Sequence, residues 1–378
     1  MFSSLRNYNY RLFYSGQVIS LTGTWMQMVG LAWLVLNLTK SSVALGTVTM
    51  LQFLPILLFA LVGGVVADRV NKRKFLQFTQ VVGLVQAMTL AVLVSKNVIT
   101  LPEIYVLASI QGLNAAFDNP TRQAFVVEMV GREDLANAVA LNSGLFNAAR
   151  IVGPGIGGLI IESHLGIAGT FYANALSYIP SLIALALMKK ELFHARPAPR
   201  GGNILENIRE GLRYAFSEPR IKLITVMMAV IGTFGYNFSV SLPLLARFAL
   251  NRGATAFGTL TAAMGLGSLV AAVYLARQAR ITHRMLIVGT AAFTLFLALV
   301  AVPFNYYITC GLLVCAGFAS LLFNASGNTL IQMDTPDHLR GRVMSIFFLL
   351  LAGSTPIGGY FTGLLTHYIQ IRHTLAIE

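Results

Sequence analysis

Asp118 and Arg122 stand four residues apart in a stretch that is otherwise fit for a lipid interior. On a helix that spacing puts both on one face, where they can pair. An ionisable group inside a spanning segment costs about 2.5–3.5 kcal/mol even on the lenient insertion scale, so each is a functional candidate by default. Two chemistries fit the pair: a coupling site, at which Asp118 alternates between a proton and Arg122, or a permanent clamp across Pro120. Arg150 stands alone in the next apolar segment with Asn147 one turn before it, and its guanidinium offers five donors in a fixed fork. It would attract an anionic or strongly hydrogen-bonding substrate, or else be held by carbonyls or a polar partner. Gln27, Gln111, Asn114, Asn147, Asn237 and Asn328, along with Gln17, Asn142 and Asn324, are uncharged candidates for a cavity wall. Such amides also glue helices together. The 24 Phe and 13 Tyr suit an amphipathic organic substrate, and suit lipid-facing and core positions equally.

The elements that must position these groups are membrane helices. A mean hydropathy of +0.70 does not describe a soluble globular chain. Only 11 % of residues are charged, where about 25 % would be usual. Eleven segments reach the roughly 20 apolar residues a bilayer core requires: 12–36, 43–67, 75–95, 101–125, 135–161, 166–188, 221–246, 255–276, 285–303, 306–330 and 342–366. They are long and continuous rather than alternating in ten-residue units, so helices are expected and not a barrel. The first segment exceeds a signal h-region and lacks a small-residue cleavage site.

The formal charge of +13 is a matter of topology. With the N-terminus inside, 21 of the 27 Lys and Arg residues fall on the cytoplasmic side, and only Lys40, Lys96, Arg247 and Arg252 on the other. This bias orients the chain by the positive-inside rule and favours contact with anionic lipid over a nucleic-acid partner. Cys310 and Cys315 lie in one segment on different faces, which supports neither a disulfide nor a metal site.

Residues 189–220 form a charged cytoplasmic linker between a first half, 1–188, and a second, 221–378. Pro197, Pro199, Gly201 and Gly202 read as flexible, and Asn203 to Phe216 as an amphipathic helix carrying Ile204, Ile208, Leu212 and Phe216. The halves echo each other: Phe117-Asp118-Asn119 recurs as Phe323-Asn324-Ala325, and Gly153-Pro154 before Gly157-Gly158 as Thr355-Pro356 before Gly358-Gly359. Repeats of this kind usually enclose a central site. After residue 366 only His367 to Glu378 remain, too short at about 1.5 Å per residue to cross roughly 30 Å. The last helix of the second half is therefore expected to be missing or truncated.

With its two halves and linker, the chain resembles the major facilitator superfamily. The superfamily signature G-x-x-x-D-R-x-G-R-[RK] appears as Gly64, Asp68, Arg69, Asn71, Lys72 and Arg73. Asn71 replaces the signature glycine, and the turn is expected to survive because Asn tolerates a left-handed backbone better than most residues. The resemblance implies a conformational lock in which Asp68 pairs with Lys72 and faces the segment of Arg340 and Arg342. Gly144, Gly153, Pro154, Gly157 and Gly158 match the antiporter motif G-x8-G-P-x-x-G-G, which is found mainly in exporters. Several glycines allow close helix contact, and Pro154 removes an amide donor. In the fourth segment Ala108 precedes Gln111-Gly112-Leu113-Asn114 where proton-linked members carry arginine. The sequences F-D-N-P-T-R-Q-A-F, N-Y-R-L-F-Y-S-G-Q and A-N-A-x-x-x-N-S are similar to the subgroup of macrolide and enterobactin-type siderophore exporters.

The reading is an all-α integral membrane protein with two pseudo-symmetric six-helix bundles, the twelfth helix lacking. It is expected to be a multi-pass protein of the cell inner (cytoplasmic) membrane with its N-terminus cytoplasmic. Its expected work is to export amphipathic drug-like or siderophore-like molecules by alternating access as a monomer, by proton antiport, without cofactor or metal. Lipid or lysolipid transport, or a non-transporting sensor, are the alternatives. No Walker motif occurs, so an ATP-driven pump lacks its engine, and no enzymatic chemistry is expected.

Overall fold

The computed structural model describes residues 3–194, 204–278, 280–302 and 305–377. The linker residues Pro197, Pro199, Gly201 and Gly202 lie outside the described residues, as does the side chain of Arg340. The first six long helices are α1 (Tyr8–Thr39), α2 (Ser42–Arg69), α3 (Lys72–Ser95), α4 (Leu101–Val130), α5 (Leu135–Glu162) and α6 (Gly166–Leu187). They are followed by α7 (Ile204–Ser217), α8 (Pro219–Phe234), α9 (Phe238–Leu244), α10 (Ala254–Ala276), α11 (His283–Val300), α12 (Tyr306–Asp334) and α13 (Asp337–Ile377). Among the described residues, nine helical runs are long and apolar enough to cross a membrane.

Helix boundaries follow local chemistry. The Asn305 side chain accepts from the amides of Tyr307 and Ile308 at 2.8 and 3.3 Å to start α12, and the Thr100 amide donates to Glu103 Oε2 at 2.6 Å to start α4. Lys40 ends α1 in the left-handed region at φ 52°. Residues 221–246, expected as one segment, are broken: α8 stops at Phe234, and the backbone resumes as α9 and a wider turn over Leu245–Ala249. Asn237 Nδ2 donates to the carbonyls of Thr233 and Phe234 at 2.7 and 3.2 Å, so a side chain satisfies the freed end of α8. The expected stub after residue 366 is folded. The chain turns at Gln370, with φ 66°, and Arg372 donates to the carbonyls of Ala301 and Val302 at 2.9 and 3.1 Å beyond the end of α11.

The chain divides into two compact units, one of Met1–Lys40, Leu54–Pro199 and Gly253–Gly258, the other of Ser41–Phe53, Arg200–Arg252 and Thr259–Glu378. The division runs through α2 and the start of α10. In the first unit α1 lies on α6 through Gly16, Gly23 and Gly30, seven residues apart on one seam. A Cβ on Gly16 would stand 2.9 Å from Ser181 Cα, and one on Gly23 would stand 2.7 Å from Ser177 Cβ. In the second unit Ala215 of α7 is buried with Ile221, Ile224, Phe323, Val343 and Phe347, while Leu212 and Phe216 of the same helix stay exposed.

Contacts this close leave no space for a side chain. Gly23→Val should destabilise the fold by about 1–3 kcal/mol through overpacking, whereas Gly144→Ala, with nothing within 4 Å of the added carbon, should not lower stability. Thermal unfolding in detergent measures both.

Candidate functional site

Within the first unit α1, α3, α4, α5 and α6 surround a cavity of about 420 Å³. Its lining interleaves the amides of Gln17, Gln80, Gln111, Asn114, Asn119 and Asn142 with the apolar side chains of Phe13, Leu21, Leu145 and Phe146. Among the described residues, Asp118 and Arg122 are the charged members of the lining.

Asp118 is buried, and four donors converge on its carboxylate. Thr79 Oγ1 and Gln80 Nε2 donate to Oδ1 at 2.6 and 3.0 Å, and Arg122 Nε and Nη2 to Oδ2 at 2.9 and 2.5 Å. The guanidinium also lies over the Phe13 ring at 5.9 Å, so α1, α3 and α4 meet at one ion pair. Two buried atoms here have no hydrogen-bond partner among the described residues, Arg122 Nη1 and Gln80 Oε1. Asn114 Nδ2 donates to the Thr79 carbonyl at 3.1 Å, fixing the α3 wall. Pro120 interrupts the ladder of α4 one turn past Ala116, and Gly63 of α2 approaches the Ala116 carbonyl too closely for any side chain.

Of the residues expected at the site, the cavity gathers Asp118, Arg122, Gln17, Gln111, Asn114 and Asn142. The others lie elsewhere. Gln27 is consumed in a buried network, donating to Gln86 Oε1 at 3.1 Å and accepting from Asn174 Nδ2 at 2.7 Å. Asn147 bonds the Ser143 carbonyl of its own helix at 2.9 Å. Arg150 is half-buried, has interactions of its own and is not in the lining. Asn237 serves the α8 break, and Asn328 accepts from Gln332 Nε2; both belong to the second unit. Thr79, Gln80, Asn119, Gln123 and Tyr178 were not anticipated. The adjacent polar pair Thr79-Gln80 inside the apolar stretch 75–95 was the available signal for the first two.

Around the α2–α3 turn the expectations need correcting. Asn71 is not left-handed. It sits at φ −71°, ψ 102° as the N-cap of α3, and its side chain accepts from the Lys74 amide at 3.1 Å, work a glycine could not do. Lys72 does not pair with Asp68. Its ammonium lies 2.7 Å from Glu128 in a buried pair, while Asp68 and Arg69 are exposed. Arg73 donates through Nε and Nη2 to the carbonyls of Leu185 and Ala186 at 2.6 Å each, closing the end of α6. Gly64 touches nothing within 4 Å of a built Cβ. In the second unit Arg342 pairs with Glu210 of α7.

On α5, Gly153 faces α1, where a Cβ would stand 2.5 Å from Trp25 Cβ and 2.9 Å from the Thr22 carbonyl oxygen. Gly157 faces Met26 of the same helix, and Gly158 faces Ala254 and Thr255, at 2.8 Å from the Thr255 Cα. Gly258 in turn approaches the Pro154 carbonyl. The motif thus lets α5 touch α1 and the start of α10 backbone to backbone; Gly144 takes no part.

The buried Lys72–Glu128 pair generates a stability prediction. Glu128→Ala leaves an uncompensated ammonium, an expected loss of about 3–5 kcal/mol. Lys72→Met/Glu128→Leu, which removes both charges, should recover most of it in the same unfolding assay.

The family described as transmembrane secretion effector matches residues 1–378. The chain is 24 % identical over 369 residues to the staphyloferrin A transporter of Staphylococcus aureus, covering 97 % of this chain and 92 % of the relative. It is 28 % identical to the multidrug efflux pump Tap of Mycolicibacterium fortuitum over 89 % of this chain and 84 % of that one. Among solved structures it superimposes on a mutant of the nucleoside transporter NupG with a TM-score of 0.75 at 16 % identity, covering 98 % and 96 % of the two chains.

Proposed function

We propose that this chain, which belongs to the transmembrane secretion effector family of the major facilitator superfamily, exports amphipathic drug-like or siderophore-like molecules across the inner membrane in exchange for protons. It is a transporter and not an enzyme. Residues 1–188 and 221–378 would form the two halves of an alternating-access carrier, joined by 189–220.

The observation that supports the reading is the 420 Å³ cavity whose lining interleaves amides with aromatic and aliphatic groups around an internally matched ion pair. Its net charge is zero. It therefore suits a neutral or zwitterionic molecule that combines hydrogen-bonding groups with apolar surface, matching a site lined by apolar side chains and placed polar groups. Antiport requires that substrate and proton exclude each other. Both oxygens of Asp118 are occupied by donors, so a proton can enter only if one donor moves away. A substrate edge that takes the place of a departed donor keeps the carboxylate ionised and competes with the proton for the same oxygen. Differential binding of this sort shifts a two-state equilibrium without any further device.

Flux in proteoliposomes tests the assignment. Asp118→Asn should abolish substrate accumulation driven by a pH gradient and spare exchange of labelled for unlabelled substrate. Loss of both activities, restored by exchanging the residues at positions 118 and 122, would make the pair a clamp and remove it from coupling.

A further inference from the structure

A second cavity, of about 390 Å³, opens where the first turn of α3, the last turns of α4 and the segment Lys190–His194 meet. We propose that it is a phosphate-binding pocket, filled by the headgroup of an anionic phospholipid or by a free phosphate compound. Its lining carries Arg73, Lys74 and Lys190 as cations and Glu128 as its acid. Glu128 is already neutralised by the buried Lys72 ammonium at 2.7 Å, so the charge the pocket presents is positive.

The pocket is built before any ligand arrives. Arg73 is held by the Leu185 and Ala186 carbonyls, which use two of its five donors and fix the plane in which the others point. The far wall is pinned at three places. Asn9 exchanges two hydrogen bonds with Lys189, at 2.8 and 2.9 Å; the His194 amide donates to the Glu128 carbonyl at 2.8 Å; and the Phe193 ring packs on Phe125 at 5.4 Å between centroids. Among the described residues nothing comparable fixes the exposed Lys74 and Lys190 side chains, which line the same cavity from α3 and from the linker. A multivalent anion between them would relieve their mutual repulsion and tie linker to bundle.

Depth in the membrane selects the chemistry. Helices α3 and α6 are both candidate spans, and α3 begins at Lys72 where α6 ends at Leu187. The cavity thus lies at the end of two apolar spans, the level at which a bilayer presents its phosphodiesters, and basic pockets at that level bind anionic headgroups.

The test uses the full chain in detergent, titrated with dioctanoyl phosphatidylglycerol, dioctanoyl phosphatidylcholine or inorganic phosphate, and read by thermal unfolding and native mass spectrometry. Phosphatidylglycerol should raise the unfolding temperature and phosphatidylcholine should not. Lys74→Ala/Lys190→Ala should weaken the apparent affinity roughly tenfold or more, while Lys96→Ala/Lys222→Ala, which removes the same charge elsewhere, should leave it unchanged. If inorganic phosphate reproduces the shift and displaces the lipid, the natural ligand is a soluble phosphate compound; if it does neither, the ligand is the lipid. Equal responses of wild type and Lys74→Ala/Lys190→Ala to both anions would overturn the pocket.

Discussion

A carboxylate among membrane helices must be surrounded by donors, because lipid supplies none. Asp118 meets that demand with Thr79 and Gln80 from α3 and Arg122 from its own helix, and Arg122 then rests on Phe13 of α1. The cavity exists in its present form because these side chains are gathered on one point. The same requirement governs Lys72 and Glu128 nearer the end of the bundle, where neither charge could be buried without the other.

Close approach of backbones is the second constraint. Helices in lipid gain little from burying apolar surface against each other, so contact depends on shape. Gly16, Gly23 and Gly30 form a heptad seam against Ser181, Ser177 and Thr170 of α6, and Gly153 and Gly157 a shorter one between α5 and α1. With α1 held on both sides, its polar residues are sorted by direction. Gln17 and Ser20 line the cavity, while Gln27 turns into the network with Gln86 and Asn174.

Tyr10 and Asn9 show how neighbouring residues of one sequence motif divide their work. The Tyr10 hydroxyl donates to the Ala138 carbonyl at 2.9 Å and so joins α1 to α5, whereas Asn9 grips the linker at Lys189. Arg73, expected in a conformational lock, closes α6 instead, and Asn71 caps α3. These residues give the end of the bundle an order that a reading of charge alone does not supply.

Helical class, nine of the eleven expected spanning segments among the described residues, and the pairing of Asp118 with Arg122 were legible in the sequence itself, since each depends on hydropathy or on spacing within one helix. The family was legible for the same reason, as motifs of short range. Which amides face a cavity was not legible, because Gln17 and Gln27 differ only in direction, and direction is set by the glycine seams and by what the partner helix offers. The break after Phe234 was hidden by uniform hydropathy across 221–246, and is satisfied by a side chain three residues on, Asn237. The partner of Lys72 was likewise beyond reach. Asp68 is near in sequence and Glu128 is 56 residues away, and only the packing of α3 on α4 brings Glu128 to 2.7 Å.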